Sequence, residues 1–472
     1  MLSRSAELIR AAGRWLEDRT GLWAVTRRLA EHPVPPGTDW RYVLGSATLV
    51  AFLVQVATGV ALSTVYVPAT GDAYQSLQFI SHDAPFGRVL RGMHYFGASA
   101  MMILIGAHMA RVFLTGSYKF PREMNWLSGI ALLLFTIVMA FTGQLLRWDQ
   151  DGVWSAVVAS EQAARVPAVG HWLAHLILGG TTVSGPTLSR SFTVHVFLIP
   201  ALIFAGVGLH LYLVLRNGIS EPGRIAPPAV DPATYRAWYR KLLDREGRPF
   251  WPDAAWRDAV MAVLVVGVIL GLAVALGPKP LGKLPDPTAI DASPRPDWYF
   301  LWYFALLALI PRTIEPSVIV LAPLVLGITL FLLPLVASRG RRTLRHRPWA
   351  VAVVAIAVCT IAWFSAIGAR SPWSPDFAAQ PLSAQTIASS DPAVVAGAAV
   401  FHERGCEYCH RVDNQGGTRG PDLTAVANRL NHAQLVARIL GGGAIMPAYM
   451  GKLSPTELAQ VVAFLESRRG AP

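Results

Sequence analysis

The sequence predicts an all-α fold: a seven-helix transmembrane bundle followed by a small all-α domain. Composition is the first sign. The chain has 472 residues, 53% of them hydrophobic, and a mean hydropathy of +0.41, which suits a polytopic membrane protein with room for an extra domain. The second sign is a series of apolar runs long enough to cross a bilayer, near residues 42–65, 92–114, 127–146, 193–215, 259–276, 317–337 and 349–367. The third is a more polar stretch beyond them, from about 391 to 470.

Residues 1–40 hold no apolar run of the kind found in a cleavable leader, so no cleavable signal is expected. Leu8, Ala12, Trp15 and Leu16 interleave with Arg10, Arg14 and Arg19. That pattern fits an amphipathic helix on the membrane surface, and equally a solvated leader.

Residues 41–220 carry the chemistry. His94 and His108 lie fourteen residues apart in one apolar run, and His195 and His210 fifteen apart in another. On a helix, fourteen residues are close to four turns, so each pair shares a face with its members about 20 Å apart. Imidazole is a strong ligand for haem iron, and ionisable groups inside membrane helices are functional candidates. Two such helices facing each other would clamp two b-type haems, making a dihaem four-helix core. Gly45 and Gly59, and Gly129 and Gly143, are also fourteen apart. Without side chains they let a flat macrocycle approach the backbone, although helix packing alone also favours small residues.

Residues 221–370 supply three more spans. Within them Pro296-Asp297-Trp298-Tyr299 follows a loop containing Pro278, Pro280, Pro285, Pro287 and Pro294, and leads into the short apolar stretch Phe300 to Ile310.

Charge sets the orientation. Of 41 Lys and Arg, 23 fall in 1–41, 109–126, 216–258 and 338–348, the segments that share one side if the N-terminus is inside. The net charge of +12 is therefore mostly a positive-inside signature and not a nucleic-acid footprint. It places the N-terminus in the cytoplasm and the tail outside, in the periplasm of a bacterial cytoplasmic membrane.

A linker, 371–390, contains Ser371, Pro372, Pro375, Pro381 and Ser383. In the tail domain, 391–472, Cys406-Glu407-Tyr408-Cys409-His410 is the C-x-x-C-H pattern of c-type haem attachment, with two thiols for the vinyl groups and an adjacent histidine for the iron. A four-thiolate zinc site would need a second cysteine pair, and the only other cysteine, Cys359, lies in the last span.

The tail resembles a small class I cytochrome c, on Gly420-Pro421-Asp422-Leu423, then Ile445-Met446-Pro447, then Leu453-Ser454-Pro455 opening a helix through Leu465. That resemblance implies Met446 as second axial ligand, with Met450 and His432 as runners-up. Residues 1 to about 370 resemble cytochrome b of the cytochrome bc complexes, the quinol:cytochrome c oxidoreductases. The motifs are Arg91-Gly92-Met93-His94, His108-Met109-Ala110-Arg111, Trp148-Asp149-Gln150, Arg190 five residues before His195, and Pro296 to Tyr299. The fifteen-residue spacing and the count of seven helices resemble the plastid-type protein joined to its subunit IV.

This resemblance implies an outer haem between His94 and His195 and an inner one between His108 and His210, a pairing with which chain direction agrees. Arg91, Arg111 and Arg190 are then partners for haem propionates. Pro296, Asp297, Trp298 and Tyr299 line an outer quinol site where Asp297, in place of the usual glutamate, accepts a proton. Electrons are expected to pass to a separate Rieske iron-sulfur protein and the covalent haem, and through two haems b to an inner quinone site, with proton translocation. A homodimer and a cytochrome or oxidase as acceptor are implied by family only. Two departures stand out: Arg147 where the family commonly has proline, and Val43 where plastid-type relatives bind an extra haem through cysteine. A dihaem anchor relaying electrons for a soluble dehydrogenase is the alternative, but it leaves the Pro296 to Tyr299 motif and the glycine pairs unexplained. A solute transporter fails on C-x-x-C-H.

Overall fold

The computed structural model describes every residue except 1, 228, 286–294, 311–313, 371–378, 418–419, 443–445, 447 and 470–472. Pro287, Pro294, Ser371, Pro372, Pro375, Ile445 and Pro447 thus lie outside the described residues. The fold is all-α. Among the described residues seven helices are long and apolar enough to cross a membrane: α1 Leu44–Ser63, α2 Gly87–Leu114, α3 Glu123–Leu145, α4 Gly185–Asn217, α5 Ala255–Ala275, α6 Glu315–Val336 and α7 Pro348–Arg370. The N-terminal segment is helical over Leu2–Thr20 and Leu22–Ala30, and its Trp15 is exposed.

The chain divides into two compact units. One comprises Met1–Leu146, Leu188–Pro280 and Val320–Thr360. Here α1 packs on α2, α3 on α4, and α5 on α1 and α2. Ala47, Ala51 and Phe52 meet Met101 and Ile105, Ile199 and Ile203, and Val265 and Ile269 in one buried cluster. Lipid offers no hydrophobic drive between helices, so close packing of small residues does the work. At the α2–α5 crossing a Cβ on Gly92 would stand 3.0 Å from that of Ala273, tight enough that a larger residue would force the helices apart.

The loops beyond α2, α4 and α6 are tied together by buried cations. Arg122 donates to the Gly218 and Ile219 carbonyls at 2.7 and 3.0 Å and to the Tyr235 hydroxyl at 2.9 Å. Tyr235 in turn donates to Glu221 at 2.6 Å. Arg342 pairs with the same carboxylate at 2.9 Å and donates to the Phe120 carbonyl at 3.0 Å. Burial lowers Lys119 to about 8, aided by Arg347 and Arg342, and its ammonium donates to the Ala337 carbonyl at 2.7 Å. Most of these donors end on an acceptor, as buried polar groups require; Arg342 Nε alone among them is buried with no hydrogen-bond partner among the described residues.

The other unit comprises Arg147–Thr187, Leu281–Ile319 and Ile361–Pro472. Its tail contains α8 Pro392–Glu403, α9 His432–Gly441 and α10 Pro455–Glu466. Each start is written in the sequence: Asp391 caps α8, and Asn431 with Gln434 and Ser454 with Glu457 form capping boxes. Helices α8 and α10 cross closely, since a Cβ on Gly397 would lie 2.7 Å from that of Phe464. Phe401 and Phe464 sit 5.4 Å apart in a core with Val412, Val461 and Val462.

Candidate functional site

The four intramembrane histidines form two facing pairs. Ring centroids of His94 and His195 are 6.3 Å apart, and those of His108 and His210 6.5 Å, both at 72°. The fifteen-residue spacing in α4 is reconciled with the fourteen of α2 by a π-helical turn, Val194–Leu198, which contains His195. A π turn takes up one extra residue, so both helices present their histidines over matching turns.

Each glycine of the two glycine pairs lies against an imidazole. A Cβ on Gly59 would stand 3.3 Å from Cε1 of His94, on Gly45 3.3 Å from that of His108, on Gly143 2.6 Å from that of His195, and on Gly129 3.7 Å from that of His210. The sequence suggested room for a macrocycle; the nearest neighbour here is the histidine ring itself.

Hydroxyls orient three of the four rings. Thr58 Oγ1 lies 3.0 Å from Nδ1 of His94, Thr142 Oγ1 3.1 Å from that of His195, and Ser128 Oγ 2.9 Å from that of His210. These hydroxyls donate within their own helices, to the carbonyls of Val54 at 2.7 Å, Val138 at 2.9 Å and Asn125 at 3.0 Å. They therefore accept from Nδ1–H, leaving each Nε2 with a free lone pair. His195 Nδ1 also lies 3.0 Å from the Met139 carbonyl. None of the three hydroxyl residues stood out in the sequence as a site residue, though each directly precedes one of the spaced glycines.

The arginines differ. Arg91 donates to Ser81 Oγ at 2.8 Å and to the Lys279 carbonyl at 2.9 Å. Arg111 lies over the Tyr42 ring, 3.9 Å from its centroid, and its Nε and Nη2 are buried with no hydrogen-bond partner among the described residues. Arg190 is exposed on α4. Val43 is buried at the start of α1. One residue the sequence reading missed is Asp258, an acidic group inside a span, which is itself the signal that marks such sites. It lies at the first turns of α5, 2.7 Å from Ser46 Oγ, next to the Gly45 that faces His108.

In the other unit, Asp297 directly precedes the helix Trp298–Leu309 and accepts a hydrogen bond from the Tyr299 hydroxyl at 3.1 Å. Pro296 is half-buried and Trp298 exposed. Arg147 ion-pairs with Asp149 and stands 3.7 Å from Asp151. Asp149 is fully buried and accepts from the Gly152 and Gly282 amides at 2.9 and 2.8 Å. The corner at Trp148, in left-handed backbone at φ 45°, is thus closed by a cation rather than a proline.

In the tail, Cys406 opens a short 3-10 turn that Cys409 closes, and His410 Nδ1 donates to the Pro421 carbonyl at 2.8 Å. Met446 packs against the domain core together with Cys406. Of the runners-up, Met450 is 72% exposed and His432 is 3.2 Å from Glu466. Burial pushes the Cys406 thiol up to about 12. Glu407 is fully buried; desolvation raises its carboxyl, opposed by His402 at 2.6 Å.

Three family models match: Cytochrome b/b6/petB over residues 29–218, Cytochrome b(C-terminal)/b6/petD over 285–386, and Cytochrome C oxidase, cbb3-type, subunit III over 392–465. Cytochrome b6 of Heliobacterium mobile is 40% identical over 210 residues, which is 44% of this chain and 99% of that protein. The chain belongs to the cytochrome b/b6 family. Cytochrome b6 of Synechococcus elongatus is 37% identical over 208 residues, 44% of this chain and 97% of the relative. A solved structure described as a hyperthermophilic respiratory Complex III aligns with TM-score 0.65 and 25% identity, over 76% of this chain and 91% of that one.

This member of the family is a multi-pass membrane cytochrome of the bc-complex type, with a b-type part for haem b and a c-type domain for haem c on one polypeptide. The residues present fit those groups. Two imidazoles on opposite sides of one iron, with metal–nitrogen bonds of about 2 Å, bring ring centroids a little over 6 Å apart, as both pairs are. Among the described residues no group of three or more His, Cys, Asp or Glu forms a metal cage, and a porphyrin iron asks the protein for only two axial ligands. The orphaned donors of Arg111 suit an anionic propionate.

Proposed function

We propose that the chain is the cytochrome b/c subunit of a quinol:cytochrome c oxidoreductase that works with a separate Rieske iron-sulfur protein. The observation that carries the reading is the two facing imidazole pairs, spaced for one iron each, on a chain that also has C-x-x-C-H. His94 and His195 hold the outer haem b, His108 and His210 the inner one. Cys406 and Cys409 would hold a third haem covalently, and His410 and Met446 would ligate its iron. When bound, these haems carry single electrons, from quinol through the Rieske partner to the covalent haem and through the b pair to quinone at the inner face.

The chain's own residues do the rest. Gly45, Gly59, Gly129 and Gly143 let the ligand rings seat against the backbone. Arg91, Arg111 and Arg190 supply cations for propionates. Asp297 takes a quinol proton, positioned by the Tyr299 hydroxyl, with Pro296 and Trp298 lining the pocket. Asp258, held by Ser46, is placed to give a proton to quinone at the inner face. The functional parts divide as 1–40, 41–220, 221–370, 371–390 and 391–472, with the N-terminus cytoplasmic, the tail periplasmic and the complex a homodimer. A cytochrome or oxidase accepts the electrons.

The test uses the intact complex. Acid-acetone extraction should remove two haems and leave one on the polypeptide, and adding oxidant in the presence of quinol should transiently reduce haem b. A second covalent haem, or haem b that never responds to oxidant, would overturn the proposal.

A further inference from the structure

Three of the four histidines meet a hydroxyl–glycine pair on the helix they face: Thr58-Gly59 for His94, Thr142-Gly143 for His195 and Ser128-Gly129 for His210. The fourth unit is Leu44-Gly45. Gly45 faces His108 just as the others face their rings, but Leu44 has no hydroxyl, and His108 Nδ1 makes no hydrogen bond among the described residues. The carbonyl route is missing too. At His195 the second acceptor is Met139, four residues before Gly143. Four residues before Gly45 is Arg41, which lies in a 3-10 turn ahead of the first turn of α1.

We infer that Leu44 raises the reduction potential of the inner haem, by withholding the acceptor that the other three ligand rings possess. An imidazole whose Nδ1–H is donated becomes the more basic ligand at Nε2. A more basic axial ligand stabilises ferric over ferrous iron, so second-sphere hydrogen bonds lower the potential. The outer pair has both rings anchored; the inner pair has one. This inference rests on the haem ligation proposed above.

The experiment is a potentiometric titration of both haems b in the purified complex, comparing Leu44→Thr with Leu44→Val. These variants are nearly the same shape and differ in the hydroxyl. Leu44→Thr should favour the ferric inner haem about tenfold, which is about 59 mV for one electron, with Leu44→Val and the outer haem unmoved. Ser128→Ala, which removes the one hydroxyl facing His210 Nδ1, should shift the inner haem alone in the opposite direction. Equal potentials in both Leu44 variants, or an inner haem indifferent to Ser128→Ala, would overturn the inference. Absence of bis-imidazole haem b from the unsubstituted complex would instead overturn the ligation on which it rests.

Discussion

The Arg342 guanidinium and the Glu221 carboxylate meet at 2.9 Å with side-chain exposures of 1% and 0%. Two sequence-distant loops are thereby joined through a charge pair that has given up its water. Such a pair adds little over an apolar contact, but removing one member strands the other. Arg342→Ala should therefore cost about 3–5 kcal/mol, seen as a lower midpoint of thermal unfolding in detergent. Arg342→Ala combined with Glu221→Gln should recover part of the loss, and no recovery would mean that the loop is held by its backbone contacts instead.

His108→Leu should remove the inner haem, because an apolar side chain offers iron no lone pair, and leave the covalent haem in place. His210→Leu should do the same. The reduced-minus-oxidised spectrum measures both, and loss of only the c-type band would show that the pairing is wrong.

Asp297→Asn keeps the size of the side chain and removes the base. Quinol oxidation, followed as reduction of the covalent haem with the Rieske partner present, should slow by roughly 10²-fold, the low end for loss of general base catalysis. Tyr299→Phe, which removes the 3.1 Å hydrogen bond to Asp297, should have the smaller effect. An unchanged rate in Asp297→Asn would make the residue a turn former.

The tail domain should weaken in acid through Glu457. The Ser454 amide foremost, with Arg404 beside it, holds this carboxyl at about 2, against its ordinary 4.5. A value below that of the unfolded chain means a contribution present above pH 4.5 and lost as the pH falls toward about 2. Soret circular dichroism of the full chain during thermal unfolding should show that loss, with a flatter acid limb in Glu457→Gln.

The spans, the histidine pairs and the last helix of the tail were legible because each is a local pattern: an apolar run, a repeat near four turns, a Ser-Pro start. The anchoring hydroxyls were less so. Thr58, Thr142 and Ser128 gain their meaning only from rings on another helix, and a threonine in a membrane span ordinarily bonds its own backbone. The loop network around Arg122 and Glu221 was illegible for a related reason. Its acceptors are largely carbonyls, which every residue carries. Arg147 drew notice as a departure from proline, yet its partner Asp149 belongs to the very motif that was read as family signature, and only the fold reveals the ion pair.

The wide turn around His195 also makes α4 a helix with length to spare. Fourteen α-helical residues fall about 40° short of four turns, whereas fifteen overshoot by about 60°; the π turn takes up that surplus as slack. Deleting Val196 should let the segment relax to a plain helix with its two ligands fourteen apart, matching α2, whereas deleting one residue between Ala201 and Leu209 would swing His210 about 100° off the shared face. Tolerance of a lost residue is thus confined to a single turn of this span, and haem retention in the two deletions would map where that tolerance lies.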